Sequence, residues 1–146
     1  MSENILIELK GLTKRYGYGD TESFALKDFD LTIKRGEFIM IMGPSGCGKT
    51  TLLDIIGLLD RATYGDYHLN GENVASISAR RQAKLRAKKI GFIFQNFNLI
   101  DDLPIIENVA LPLVYTGYSK TSRLKKASSV LKRFHLEERE YYLPYQ

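Results

Sequence analysis

The 146-residue chain has one cysteine, Cys47, so no disulfide can form within it, and a reducing compartment fits that usage. No apolar run approaches the ~20 residues a membrane-spanning helix needs. The start Met1-Ser2-Glu3-Asn4 lacks the basic and apolar regions of a secretory leader, so the chain is expected in the cytosol. Histidine is scarce. His68 and His135 are read as surface or packing residues rather than catalytic ones. Nowhere are two glycines adjacent, and no internal repeat or low-complexity segment is evident. With 44% apolar and 26% charged residues, the composition excludes disorder and fibrous repeats. The length suits one domain able to bury about two thirds of its unfolded surface.

The formal charge is only +4, and much of the basic surplus lies in Arg80, Arg81, Lys84, Arg86, Lys88 and Lys89. A solvated helix face is the ordinary reading of such a run. Aromatics that would interleave with bases are absent from it, so no nucleic-acid partner is expected.

Ile5, Ile7 and Leu9 alternate with Leu6, Glu8 and Lys10, and Phe29, Leu31 and Ile33 alternate with Asp28, Asp30 and Thr32. Both stretches predict strands with a buried face. Tyr16 to Asp20, with two glycines, predicts the loop between them. The continuous apolar runs Glu37 to Met42 and Ile90 to Phe94 predict strands buried on both faces, as in a parallel core. Leu52, Ile55, Ile56 and Leu59 form one helical stripe. Gly65 to Leu69 reads as a short strand ending in the Asn70-Gly71 turn, and Ser78 as the cap of a helix carrying the basic run. Ile105 to Tyr115, interrupted by Pro112, and Leu124, Ala127, Leu131 and Phe134 follow a helical period.

Gly43-Pro44-Ser45-Gly46-Cys47-Gly48-Lys49-Thr50 satisfies G-x-x-x-x-G-K-S/T in full. A predicted strand precedes it and an amphipathic helix follows, which aims consecutive backbone N–H groups and a helix N-terminus at one small volume. Polyphosphate suits that volume. Lys49 would reach β- and γ-phosphates, and the Thr50 hydroxyl would ligate Mg²⁺ bridging them; Thr51 continues the site. Cys47 is read as a small side chain in a tight loop.

With these residues stated, the chain resembles the ATP-binding subunits of ABC transporters, in the branch serving macrolide export and lipoprotein release. Gly36-Glu37, the phosphate loop, Leu58-Leu59-Asp60, Gly65 and Asn70-Gly71 resemble successive landmarks of that family. Ile90-Gly91-Phe92-Ile93-Phe94-Gln95, Asn98-Leu99 and Glu107 to Pro112 resemble the branch more closely still. The resemblance implies an α/β P-loop NTPase fold: an N-terminal antiparallel β part, a parallel core and the start of a helical subdomain, divided at residues 1–95 and 96–146. It implies ATP and Mg²⁺ as ligands. Gln95 resembles the glutamine that helps ligate Mg²⁺ and senses the γ-phosphate. Tyr16 resembles the aromatic that stacks on adenine, a contact worth ~1–3 kcal/mol by analogy with base stacking; Tyr18 is its neighbouring rival, and an ordinary loop tyrosine is the alternative for either. Phe97 to Ile100 would receive the coupling helix of a transmembrane permease subunit. A second ATP-binding subunit would pair head to tail, with the assembly peripheral on the inner face of the membrane.

The family's L-S-G-G-Q signature has no counterpart here, nor do the acidic strand end and later histidine that hydrolysis uses. Leu58-Leu59-Asp60 is not read as that strand end, because it closes the helix after the phosphate loop. The domain is therefore expected to be incomplete, binding nucleotide without hydrolysing it, and, because parallel strands would lack flanking partners, to be marginal alone, to swap elements with a partner or to come from a longer polypeptide. Other readings are a small-molecule kinase, disfavoured by the long β segment before the loop, a DNA-repair or chromosome-type ATPase, and a nucleotide-binding module that never hydrolyses.

Overall fold

The computed structural model describes residues 4–146, which fall into two compact units divided between Arg86 and Ala87. The first is built on strands β1 (Ile5–Tyr16), β2 (Ser23–Lys34), β3 (Tyr64–Leu69) and β4 (Glu72–Asn73). All pairings are antiparallel, in the order β2-β1-β3-β4. The alternating segments thus form strands as expected, and both long strands run several residues past the alternation. Register shifts around Gly11 let β1 bend and continue to Tyr16. Asn70 and Gly71 take φ of 54° and 81°, the two positive values a tight hairpin turn requires.

Helix α1 (Lys49–Ile56) follows the phosphate loop and buries Leu52 and Ile55, while the sheet buries Leu9, Leu12, Leu26 and Tyr67. Its end departs from the sequence expectation. The stripe predicts Leu59 on the buried face, yet Leu58 is buried and Leu59 exposed. Leu58 adopts φ of 58°, with its N–H on Ile55 O at 3.0 Å and that of Leu59 on Asp54 O at 2.7 Å. This double closure terminates the helix and turns Leu58 inward. The carbonyls exposed at a helix end need partners. Tyr67 Oη donates to Ile56 O at 2.7 Å, and Arg86 donates to Leu58 O at 2.6 Å.

Arg86 lies on helix α2 (Ala79–Lys89), which Ser78 caps through a bond from Arg81 N–H at 3.3 Å. Arg81 pairs with Glu72. The basic run is therefore not solely a solvated face, since two of its cations tie α2 to the hairpin and to the end of α1.

The two apolar runs predicted as parallel strands do not pair. Residues 37–42 and 90–94 carry neither helix nor strand, and Phe38, Met40, Met42 and Ile93 are largely exposed. A strand exists through the ladder to a neighbour, and apolar side chains alone do not supply that neighbour's backbone groups. Among the described residues neither run has one.

The second unit packs α3 (Ile105–Ala110) against α4 (Lys120–Arg133), with a 3₁₀ segment, Leu111–Thr116, between them where Pro112 interrupts the α pattern. Ile106, Ala110, Ala127 and Leu131 form its core. Phe134 falls just past α4 and is exposed. The chain returns so that Tyr142 O and Glu140 O accept from the first two amides of α3, each at 2.9 Å.

Candidate functional site

The phosphate loop wraps its own lysine. Lys49 Nζ donates to Gly43 O at 2.8 Å and Pro44 O at 2.6 Å, with Cys47 Sγ at 3.7 Å. Gly48 caps α1 at φ of 90°. A Cβ there would collide with the Ala25 carbonyl of β2, and one on Gly43 would lie 2.7 Å from Cys47 Sγ, while Gly46 faces open space. Two glycines thus let the loop close on β2 and on itself, and the third leaves its mouth clear. The first amides of α1 lack intrahelical acceptors and present a positive dipole end beside that ammonium. This arrangement fits a polyphosphate. Ser45 and Thr50 are exposed at the loop, and Thr51 is half-buried. Thr50 offers one neutral oxygen, which suits Mg²⁺ because that ion takes most of its remaining ligands from water and phosphate.

Strand β2 links the loop to Tyr16. Tyr16 is paired with Ser23, and two residues further along β2 is the Ala25 carbonyl that meets Gly48. Two residues of strand and one strand spacing put the aromatic on the order of 10 Å from the loop, the reach of a nucleotide from base to phosphates. Tyr16 Oη donates to Asp60 Oδ2 at 3.2 Å, and Lys14 Nζ sits 5.0 Å from the ring centroid. Lys14 also bonds Asp60 at 2.7 and 2.8 Å and Arg61 O at 2.8 Å. Burial pushes the Asp60 carboxyl up, but hydrogen bonds from Lys14 and the Arg61 N–H, the Lys14 charge and the Tyr16 hydroxyl outweigh it and hold the group below its ordinary range. Tyr18 is almost fully exposed.

Gln95 belongs to the second unit, on an exposed bend after Phe94. Phe97, Leu99 and Ile100 are exposed, and Phe97 and Leu99 line a cavity of about 470 Å³ with Pro144 and Tyr145. Lys14 and Asp60 were missed in the sequence. The one available signal was that Lys14 and Tyr16, two apart on a strand, share a face.

The sequence pattern of the ABC transporter family matches residues 26–144. This chain belongs to the ABC transporter family. It is 45% identical over 139 residues to the macrolide export ATP-binding/permease protein MacB of Escherichia coli, covering 95% of this chain and 22% of that protein. An uncharacterized ABC transporter ATP-binding protein of Methanocaldococcus jannaschii is also 45% identical, over 97% of this chain and 63% of its own length. A solved ATP-binding cassette, dimeric and bound to ADP and phosphate after hydrolysis, superposes with a TM-score of 0.84 at 42% identity, covering 97% of this chain and 62% of that one. The ABC transporter chain described here thus spans about a fifth of the macrolide-export relative and under two thirds of the cassettes. None of its described helices is long and apolar enough to cross a membrane.

Proposed function

We propose that this ABC transporter chain holds MgATP with Gly43 to Thr51 around the triphosphate and Tyr16 against adenine. The observation that carries the reading is the closed loop at the head of α1, where Lys49 rests on the Gly43 and Pro44 carbonyls and Gly48 is pressed against Ala25. On phosphate binding the Lys49 ammonium would exchange carbonyl oxygens for phosphate oxygens, while the α1 amides and Gly46 N–H receive the remaining charge. Thr50 would hold Mg²⁺ against the phosphates, with Gln95 as a second ligand by the family resemblance alone, and the ion would supply neutralisation of the polyphosphate charge. Tyr16 is favoured over Tyr18 as the base platform because its ring is already anchored, which reduces the ordering lost on binding.

The same reading assigns Phe97 to Ile100 to a transmembrane permease subunit, since apolar side chains cluster there on the surface. A second ATP-binding subunit would pair with it head to tail, at the inner face of the membrane. These residues alone are proposed to bind without hydrolysing, because the signature, the acidic strand end and the later histidine that the family uses for hydrolysis have no counterpart among them. A DNA-repair or chromosome-type ATPase is less favoured, because the stretch after Gln95 resembles the export branch and Arg86 of the basic run is engaged by Leu58 O.

Titration calorimetry with MgATP on the wild type and on Lys49→Ala tests the reading. Binding lost or weakened at least about a hundredfold is expected, the scale of removing a charge-assisted phosphate contact. Equal affinity of the two proteins would remove the phosphate-cradle assignment.

A further inference from the structure

Asp60 makes two contacts that bear on the same ring. Its Oδ2 accepts from the Tyr16 hydroxyl at 3.2 Å and lies 2.7 Å from the Lys14 ammonium, and that ammonium sits 5.0 Å from the Tyr16 ring centroid. Lys14 is itself fixed, bonded to both Asp60 oxygens and to Arg61 O, with its side chain only 13% exposed. A hydroxyl bond restrains the ring within its plane, and a cation over one face restrains it along the normal. The other face is left for a partner, and Tyr16 is 46% exposed.

We propose that Asp60 and Lys14 are positioning residues that hold Tyr16 as a one-faced platform for the purine base. The inference rests on the reading of Tyr16 as the base-stacking residue and adds what makes that platform rigid. Asp60 is well placed for this because it closes the same segment that the phosphate loop opens. Helix α1 starts at Lys49, its terminal turn places the Leu59 and Asp60 N–H groups on Asp54 O at 2.7 and 3.1 Å, and Asp60 then reaches β1. Phosphate cradle and base platform are thereby held at one spacing by a single short helix on one side and by β2 on the other. A nucleoside triphosphate is rewarded by that fixed spacing, whereas inorganic triphosphate is indifferent to it.

The experiment is a double-mutant cycle of Asp60→Ala and Tyr16→Ala, read as affinity for MgATP and for inorganic triphosphate with Mg²⁺. Asp60→Ala is expected to weaken ATP about threefold or more with triphosphate nearly unchanged, and to have almost no further effect in the Tyr16→Ala background. Full additivity of the two ATP losses overturns the proposal, as does an Asp60→Ala protein that binds ATP like the wild type. Equal weakening of both ligands by Asp60→Ala also overturns it, by assigning Asp60 to the scaffold alone. If Tyr16→Ala itself leaves ATP affinity intact, the stacking reading falls and the proposal with it, a result distinct from the others. Should Asp60→Ala fail to fold, Tyr16→Phe cuts the same tether from its other end while keeping the ring. About a twofold or larger loss specific to ATP is expected there, and wild-type affinity overturns the hydroxyl's part in the positioning.

Discussion

The side-chain amide of Asn108 closes on both backbone groups of Ile100: Oδ1 accepts from Ile100 N–H at 2.7 Å, and Nδ2 donates to Ile100 O at 3.0 Å. A third bond, Nδ2 to Leu103 O at 2.8 Å, ties the same side chain to the end of that loop. The exposed apolar segment Phe97 to Ile100 is therefore presented from a fixed base on α3.

Replacing Asn108 by alanine removes the partner of Ile100 N–H and of Leu103 O, while Ile100 O keeps its bond from Leu103 N–H at 3.1 Å. A loss of about 1–3 kcal/mol is expected, with amide exchange at Ile100 accelerating far more than in α4. Unchanged protection of Ile100 would show that the loop is held by something other than this amide.

Gly48→Ala combines a left-handed backbone at φ of 90° with a collision against the Ala25 carbonyl. Left-handed strain for an ordinary residue is roughly 1–2 kcal/mol, and the backbone clash adds to it. Both the denaturation midpoint and MgATP affinity should fall. Loss of neither would mean the loop has another way to close.

The Tyr67 hydroxyl is buried, which pushes its ionisation above the ordinary range, and it caps the last carbonyl of α1. Tyr67→Phe should lower stability by about 1 kcal/mol in urea denaturation, the net value of one such bond. A neutral outcome would indicate that water replaces the hydroxyl.

Asp60 titrates below its ordinary value of 3.8 when folded. A depressed carboxyl contributes stability that is fully present above the unfolded value and is lost as pH falls through the folded one. The stability gap between wild type and Asp60→Asn should accordingly hold at neutral pH and narrow below about pH 4. A gap independent of acidification would mean that the Lys14 ion pair contributes nothing to it.

Much of this was legible in residues 5–56. Alternation along Ile5 to Leu9 and Phe29 to Ile33 records strands with a buried face, and the spacing of Gly43, Gly48, Lys49 and Thr50 records the glycine-rich loop on which the phosphate proposal rests, because both signals are local. Continuous apolar runs were less reliable guides. Residues 37–42 and 90–94 have the composition of buried strands, but a parallel ladder depends on distant chain, and composition says nothing of whether that chain is present. The Leu58–Leu59 exchange was hidden for a related reason, since a helix end is set by which carbonyls find partners, and here those partners are Tyr67 and Arg86.

Taken alone, the order of residues determined the strand segments, the helix after the loop, and the glycine, lysine and threonine spacing on which the phosphate proposal rests, because each depends on neighbours within a few positions. Only the tertiary structure decided that Asp60 faces Tyr16 and Lys14, that Arg86 turns inward to Leu58, and that Asn108 grips Ile100. Those pairs lie 44, 46, 28 and 8 residues apart. Directional hydrogen bonds made by side chains become readable only once folding has brought the bonded atoms within about 3 Å.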